Sequence, residues 1–250
     1  MSATPGPQAD KGEKADKGGK RKRRRGPPLS DVRHDTAADL ARPENRKRVA
    51  TAQYVWNKAT PIAGTMGEAY LRAQGVTGDL PPTLRFAPAM PHPAGDIKLP
   101  GIVAARQGAD RQITGLWRVF LTEDGELAAV TPGRMNLGYV RGTAVRFGPA
   151  AEEIVVAGDI EHALQVRDEI PEMPIWAGLN SFSWRALELP AEVRRVTIVP
   201  DMTPCPDWRE PKEHCGYAAA QALQRRVQRM GRASRIIAAD PSLKPGDQNA

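Results

Sequence analysis

The chain has 250 residues, 40% of them hydrophobic, with a formal net charge of +7. That is enough apolar material for one or two domains with a proper core, and no apolar run approaches the roughly 18 residues a membrane-spanning helix needs. Two cysteines, Cys205 and Cys215, exclude a disulfide framework, and the opening MSATPGPQADKGEK lacks the apolar core of a secretory signal, so a reducing, cytoplasmic setting is expected.

The charge is concentrated at one end. Residues 1–30 hold nine Lys/Arg against three acids, so +6 of the +7 sits there and the rest of the chain is close to neutral. Residues 1–43, rich in Gly, Pro, Lys and Arg, are expected to form a disordered basic tail. Its run Lys20, Arg21, Lys22, Arg23, Arg24, Arg25 is a candidate for holding nucleic-acid phosphates by counterion release. A merely solubilising tail is the competing reading.

Residues 44–150 read as a mixed α+β domain. Val49, Ala52, Val55 and Trp56 have helical spacing, and Thr60-Pro61 ends that helix because proline forces the preceding residue out of the helical region. Thr65 and Glu68 have the spacing of a capping box, opening a short helix that Gly75 closes. TLRFAPA, GIVAARQ, ITGLWRVFL and TAVRFGPA are short β-prone runs, and LTEDGEL carries an Asp-Gly turn between strands. Arg134, Arg141 and Arg146 cluster in GRMNLGYVRGTAVRFG, as phosphate contacts or as the charged face of a hairpin.

Residues 151–250 alternate strand and helix. EIVVAG, MPIWAGL, VRRVTIVPD and ASRIIAAD read as strands, with helices through IEHALQVRDEI, SFSWRALEL and CGYAAAQALQRRVQRMG between them. Such alternation implies a small parallel sheet flanked by helices, hence an α/β fold. Trp117 and Trp176 are expected to fill the core.

WNKATPIAGTMGEAYLRAQGV, LPPTLRFAPAMPHP, GRMNLGYVRGTAVRFGPA, IVVAGDIEHAL and VRRVTIVPD with GYAAAQALQRR, in that order, resemble the phage- and plasmid-associated Toprim proteins. These are primase-like chains with a domain preceding a C-terminal Toprim fold, and the resemblance spans roughly residues 45–250. It implies a C-terminal Toprim-like sheet, a DNA-associated role in the replication of a mobile element, and nucleotidyl transfer with Mg²⁺. In that family a glutamate after the first strand acts as general acid or base, and a later strand ends in Asp-x-Asp that holds the metal.

This sequence departs from the pattern. The family form approximates Val-Ala-Glu-Gly-Ile-Glu-x-Ala-Leu, and here Gly158 stands at the glutamate position with Asp159 one place later. The metal motif keeps Asp201, but Thr203 replaces its second aspartate, and a third acidic element reduces to Asp247. The resemblance therefore assigns catalysis to Asp159 and Asp201, and metal binding to Asp201, Asp159 and Asp247. Three functions remain open: a primase-like enzyme, a catalytically silent module that binds DNA or a replication partner, and a Toprim-type nuclease. No phosphate-binding loop of the Gly-x-x-x-x-Gly-Lys-Ser/Thr type occurs, so unwinding would require a separate replicative helicase. DNA is the partner this reading implies, with single-stranded DNA one form left open. Cys205, Cys215 and His214 do not have the usual zinc spacing, and a zinc site is not expected.

Overall fold

The computed structural model describes residues 36–179, 181–202 and 215–238. The basic run Lys20 to Arg25, the loop with Cys205 and His214, and Asp247 lie outside the described residues.

Two helices open the fold, α1 (Thr36–Ala41) and α2 (Pro43–Lys58). Pro43 suits a first helical position, where its missing N–H would have no partner anyway. Ala52 and Trp56 form the buried stripe of α2 and stop where β1 (Thr60–Pro61) begins. The next helix is α3 (Met66–Ala73), and the expected capping box is only half made. The Thr65 hydroxyl donates back to the Ile62 carbonyl at 2.6 Å and makes no cap hydrogen bond, while Glu68 accepts from the Gly64 N–H at 2.7 Å.

An antiparallel group follows: β2 (Leu84–Pro91), β3 (Lys98–Gln107), β4 (Ile113–Phe120) and β5 (Arg134–Gly138). LTEDGEL turns the chain as expected but keeps only one bridge, Leu121 to Leu127, before the chain loops out to β5. β6 (Ala144–Phe147) pairs antiparallel with both β3 and β8 (Ile175–Ala177). The remaining strands, β7 (Glu153–Ala157), β8, β9 (Arg195–Val199) and β10 (Ala233–Ile236), are parallel in the order β8-β7-β9-β10.

The strand–helix alternation is thus the order observed, with α4 (Ile160–Glu169), α5 (Ser181–Ala186) and α6 (Cys215–Arg229) as the intervening helices. The parallel strands are not a separate small sheet, however. β6 joins them to the antiparallel group in one ten-stranded sheet.

Packing follows side-chain alternation. Val155 and Ala157 face α3 and α4 together with Ile102, Val145 and Ile175. Ile154 and Val156 face α5 and α6 together with Trp176, Val196 and Ile198. A strand buried on both faces must be apolar throughout, which is why Ile154-Val155-Val156-Ala157 shows no alternation in sequence. A third cluster seats α2 on β3 and β4 through Ala52, Trp56, Val103 and Leu116. Trp117 and Trp176 are both buried, as the strands containing them require.

Candidate functional site

β7 and β9 lie side by side and parallel, with Ala157 opposite Val199. The residues that follow them, Gly158-Asp159 and Asp201, therefore emerge at one sheet edge. At such an edge open α/β folds place their ligands. A Cβ built on Gly158 would stand 2.8 Å from His162 Nδ1 and 2.9 Å from the Asp201 Cβ. The position at which the family pattern calls for a glutamate is therefore already filled by its neighbours.

Asp159 is the N-cap of α4, and its Oδ1 accepts from the His162 backbone N–H at 3.1 Å. Burial pushes this carboxyl up to about 6, helped by the charges of Glu161 and Asp201 and opposed by the cap hydrogen bond and Arg134. His162 folds back one turn, and its Nδ1 accepts from the Gly158 N–H at 3.3 Å. The proton of the neutral ring then sits on Nε2. Burial holds this imidazole below its ordinary value, and the Asp201 charge partly offsets the effect.

A second group stands behind the edge. Glu161 is buried, and its Oε1 accepts from the Tyr70 hydroxyl and from Arg134 Nη2, both at 2.8 Å. Its Oε2 has no partner. Burial, then the Glu161 charge, pushes the Tyr70 phenol far above its usual range. This triad ties α3, β5 and α4 together. β5 is itself anchored by the fully buried Arg106, which donates to Asn136 Oδ1 at 2.7 Å, to Thr143 Oγ1 and O, to the Val140 carbonyl, and to Ser183 Oγ on α5. Burial alone draws the Arg106 guanidinium down to about 9, so it remains a cation at neutral pH.

The structure thus brings Asp159 and Asp201 to one edge, with His162 between them and Glu161 behind. It does not bring the three arginines together. Arg134 is engaged by Glu161. Arg146 is 2% exposed and lies with its guanidinium 4.0 Å over the Trp176 ring. Arg141 lies within electrostatic reach of Tyr139 and Arg226. Stacking and ion pairing draw Arg146 and Arg134 inward. Glu161 and Tyr70 went unread in the sequence. Glu161 had a visible signal, as the second glutamate of the family pattern.

No group of three or more His, Cys, Asp or Glu side chains capable of holding a metal forms among the described residues. One oxygen of Asp159 is spent on the helix cap, and Glu161 is held by Arg134. Mg²⁺ keeps most of its water and is held through one or two carboxylates, so Asp159 Oδ2 and Asp201 are the groups that would hold it here.

Asp159 makes a pH-dependent prediction. Its folded value, about 6, lies above the ordinary 3.8, so its contribution to stability is full below about pH 4 and is lost as pH rises through 6. Asp159→Asn keeps a capping oxygen and removes that loss. The variant is expected to be about 1–3 kcal/mol more stable than the parent at pH 8 and no more stable at pH 4. Denaturant titrations at both pH values check it, and a gain independent of pH would contradict it.

A family model for a domain of unknown function (DUF7146) matches residues 46–147. No curated protein matches the chain. Among solved structures, the Aquifex aeolicus primase (zinc-binding and RNA polymerase domains) is similar at a TM-score of 0.51 and 13% identity, covering 83% of this chain and 58% of that one. A DNA primase domain from Pseudomonas aeruginosa gives 0.47 and 12%, covering 82% and 74%. The E. coli primase catalytic core gives 0.47 and 12%, covering 81% and 74%. The chain has a primase-like fold and spans 58% of the length of the Aquifex chain.

Proposed function

We propose that this chain is a primase-like, DNA-associated Toprim protein of the kind carried by phages and plasmids, and that it binds single-stranded DNA without joining nucleotides. The observation that carries this reading is the filled corner at Gly158. Where a glutamate would stand, His162 and Asp201 occupy the space, and the adjoining Asp159 caps the start of α4. The primase-like fold and the motif order support a nucleic-acid role, and the charge of residues 1–30 supplies the means.

A second reading, Mg²⁺-dependent nucleotide joining or cleavage, is favoured by one observation. Asp159 and Asp201 share the sheet edge and feel one another's charge. Asp247, outside the described residues, would add a third carboxylate. In either reading a separate helicase does the unwinding.

Gly158→Glu separates the two. Under the proposal the new side chain is forced against His162 and Asp201, overpacking costs about 1–3 kcal/mol, and no nucleotide incorporation appears. Gly158→Glu with His162→Ala regains part of the stability and remains inactive. Mg²⁺-dependent incorporation or cleavage by either variant, abolished by Asp201→Asn, would establish the second reading.

A further inference from the structure

Arg146 presents a physical anomaly that lies apart from the sheet edge. Its side chain is buried on the α5/α6 face of the sheet, opposite Trp176 in the β6–β8 register. Nε, Nη1 and Nη2 are all inaccessible to solvent, and none has a hydrogen-bond partner. Arg118, Arg134 and Arg226 each leave Nε alone in that state. The indole Nε1 of Trp176, the ring on which the guanidinium lies, is buried and unpartnered as well.

Folded proteins satisfy almost all such groups, and a buried cation without a counter-charge is among the most unfavourable. Burial lowers the Arg146 pKa to about 10, so the group is still charged at neutral pH. Among the described residues no carboxylate hydrogen-bonds to it, and two act on it only through space. The charged groups within electrostatic reach are Arg111, Asp110 and Glu192, all on exposed loops. Asp110 uses Oδ1 to accept from the Gln112 N–H at 3.0 Å. Arg111 adds a second cation at the rim, in a left-handed turn with φ of 66°.

We infer that Arg146 and the Trp176 indole N–H form a buried anion site, beneath the 108–112 turn and the segment around Glu192, that takes a phosphate group. A planar guanidinium offers paired N–H donors that match the oxygens of a phosphate, and the aromatic face beneath fixes its orientation. Inorganic phosphate and the phosphoryl end of a nucleotide share this chemistry. The site deepens the nucleic-acid reading without depending on the sheet edge.

The test uses the full chain and thermal unfolding with inorganic phosphate or dTTP against sodium chloride at equal ionic strength. The parent Tm is expected to rise by about 3–6 °C at a ligand concentration ten times its dissociation constant. Arg146→Met retains the bulk over Trp176 and removes the charge. It should unfold no lower than the parent in phosphate-free buffer and lose the phosphate response, whereas a merely structural arginine would lower Tm on removal. Trp176→Phe should weaken the response and leave part of it. A rise with dTTP alone identifies a nucleotide, and an equal rise with both identifies free phosphate. Equal responses in parent and Arg146→Met overturn the inference. So does loss of stability in Asp110→Asn/Glu192→Gln matching that of Arg146→Met, since the chain's own carboxylates would then hold the cation. If Arg146→Met fails to fold, equilibrium dialysis of the parent and Arg146→Lys with labelled phosphate decides, and absence of binding to the parent overturns the inference. Failure of the parent to bind single-stranded DNA, with the phosphate response intact, would count against the proposed function and leave this site standing.

Discussion

Deleting residues 11–25 lowers affinity for single-stranded DNA by about 10²–10³-fold near 50 mM salt and flattens the salt dependence of what remains. That segment holds Lys11, Lys14, Lys17 and the run Lys20 to Arg25, against only Glu13 and Asp16. Each phosphate neutralised on a single strand contributes about 0.7 to the slope of log affinity against log salt, so roughly six contacts remove about four from that slope. The remaining chain is close to neutral and cannot supply a term of that size. Fluorescence anisotropy of a labelled oligonucleotide across a salt series, parent against truncation, gives both numbers. An unchanged slope would move the contact surface onto the folded part of the chain.

Replacing Arg134 with Met destabilises the fold by about 2–4 kcal/mol, a fall in Tm of about 5–15 °C. The substitution strands the Glu161 carboxylate, which is 8% exposed and already has one oxygen without a partner. Tyr70 remains as its sole donor. The upper end of the range is tempered because the Arg134 side chain is 31% exposed, and solvent screens part of the pair. Arg134→Met with Glu161→Gln should cost less than the sum of the two single changes, because a neutral amide no longer needs the cation. Urea unfolding of the four proteins measures the coupling. Additive losses would mean that the three side chains do not act as a unit.

How far the sequence could be read depended on how local each signal was. The β7–α4, β9–α6 and β10 segments were legible, because strands buried on both faces are continuous apolar runs and the helices between them carry their own periodicity. β5 was not. Arg134-Met135-Asn136-Leu137-Gly138 alternates as a strand should, but its arginine drew it into a cluster with Arg141 and Arg146. Arg106 lies within the β-prone run GIVAARQ, yet its acceptors lie 30 to 77 positions away, and no local pattern encodes them. Gly158 was legible as a missing glutamate and illegible as a filled corner. The filling comes from a histidine that folds back one turn onto Gly158, and from a neighbouring strand that parallel pairing brings alongside. Glu161 carries the same lesson. Its identity was visible, but its partners come from positions 27 and 91 residues distant.

Under the proposed function this primase-like fold holds DNA and does not join nucleotides at its sheet edge. The most direct measurement is nucleotide incorporation by the full chain on a single-stranded template with Mg²⁺, under conditions in which anisotropy shows the template bound. The account predicts template binding that is the same with Mg²⁺ or EDTA, and incorporation indistinguishable from a protein-free blank. Primer formation that requires Mg²⁺ and disappears in Asp201→Asn would contradict it.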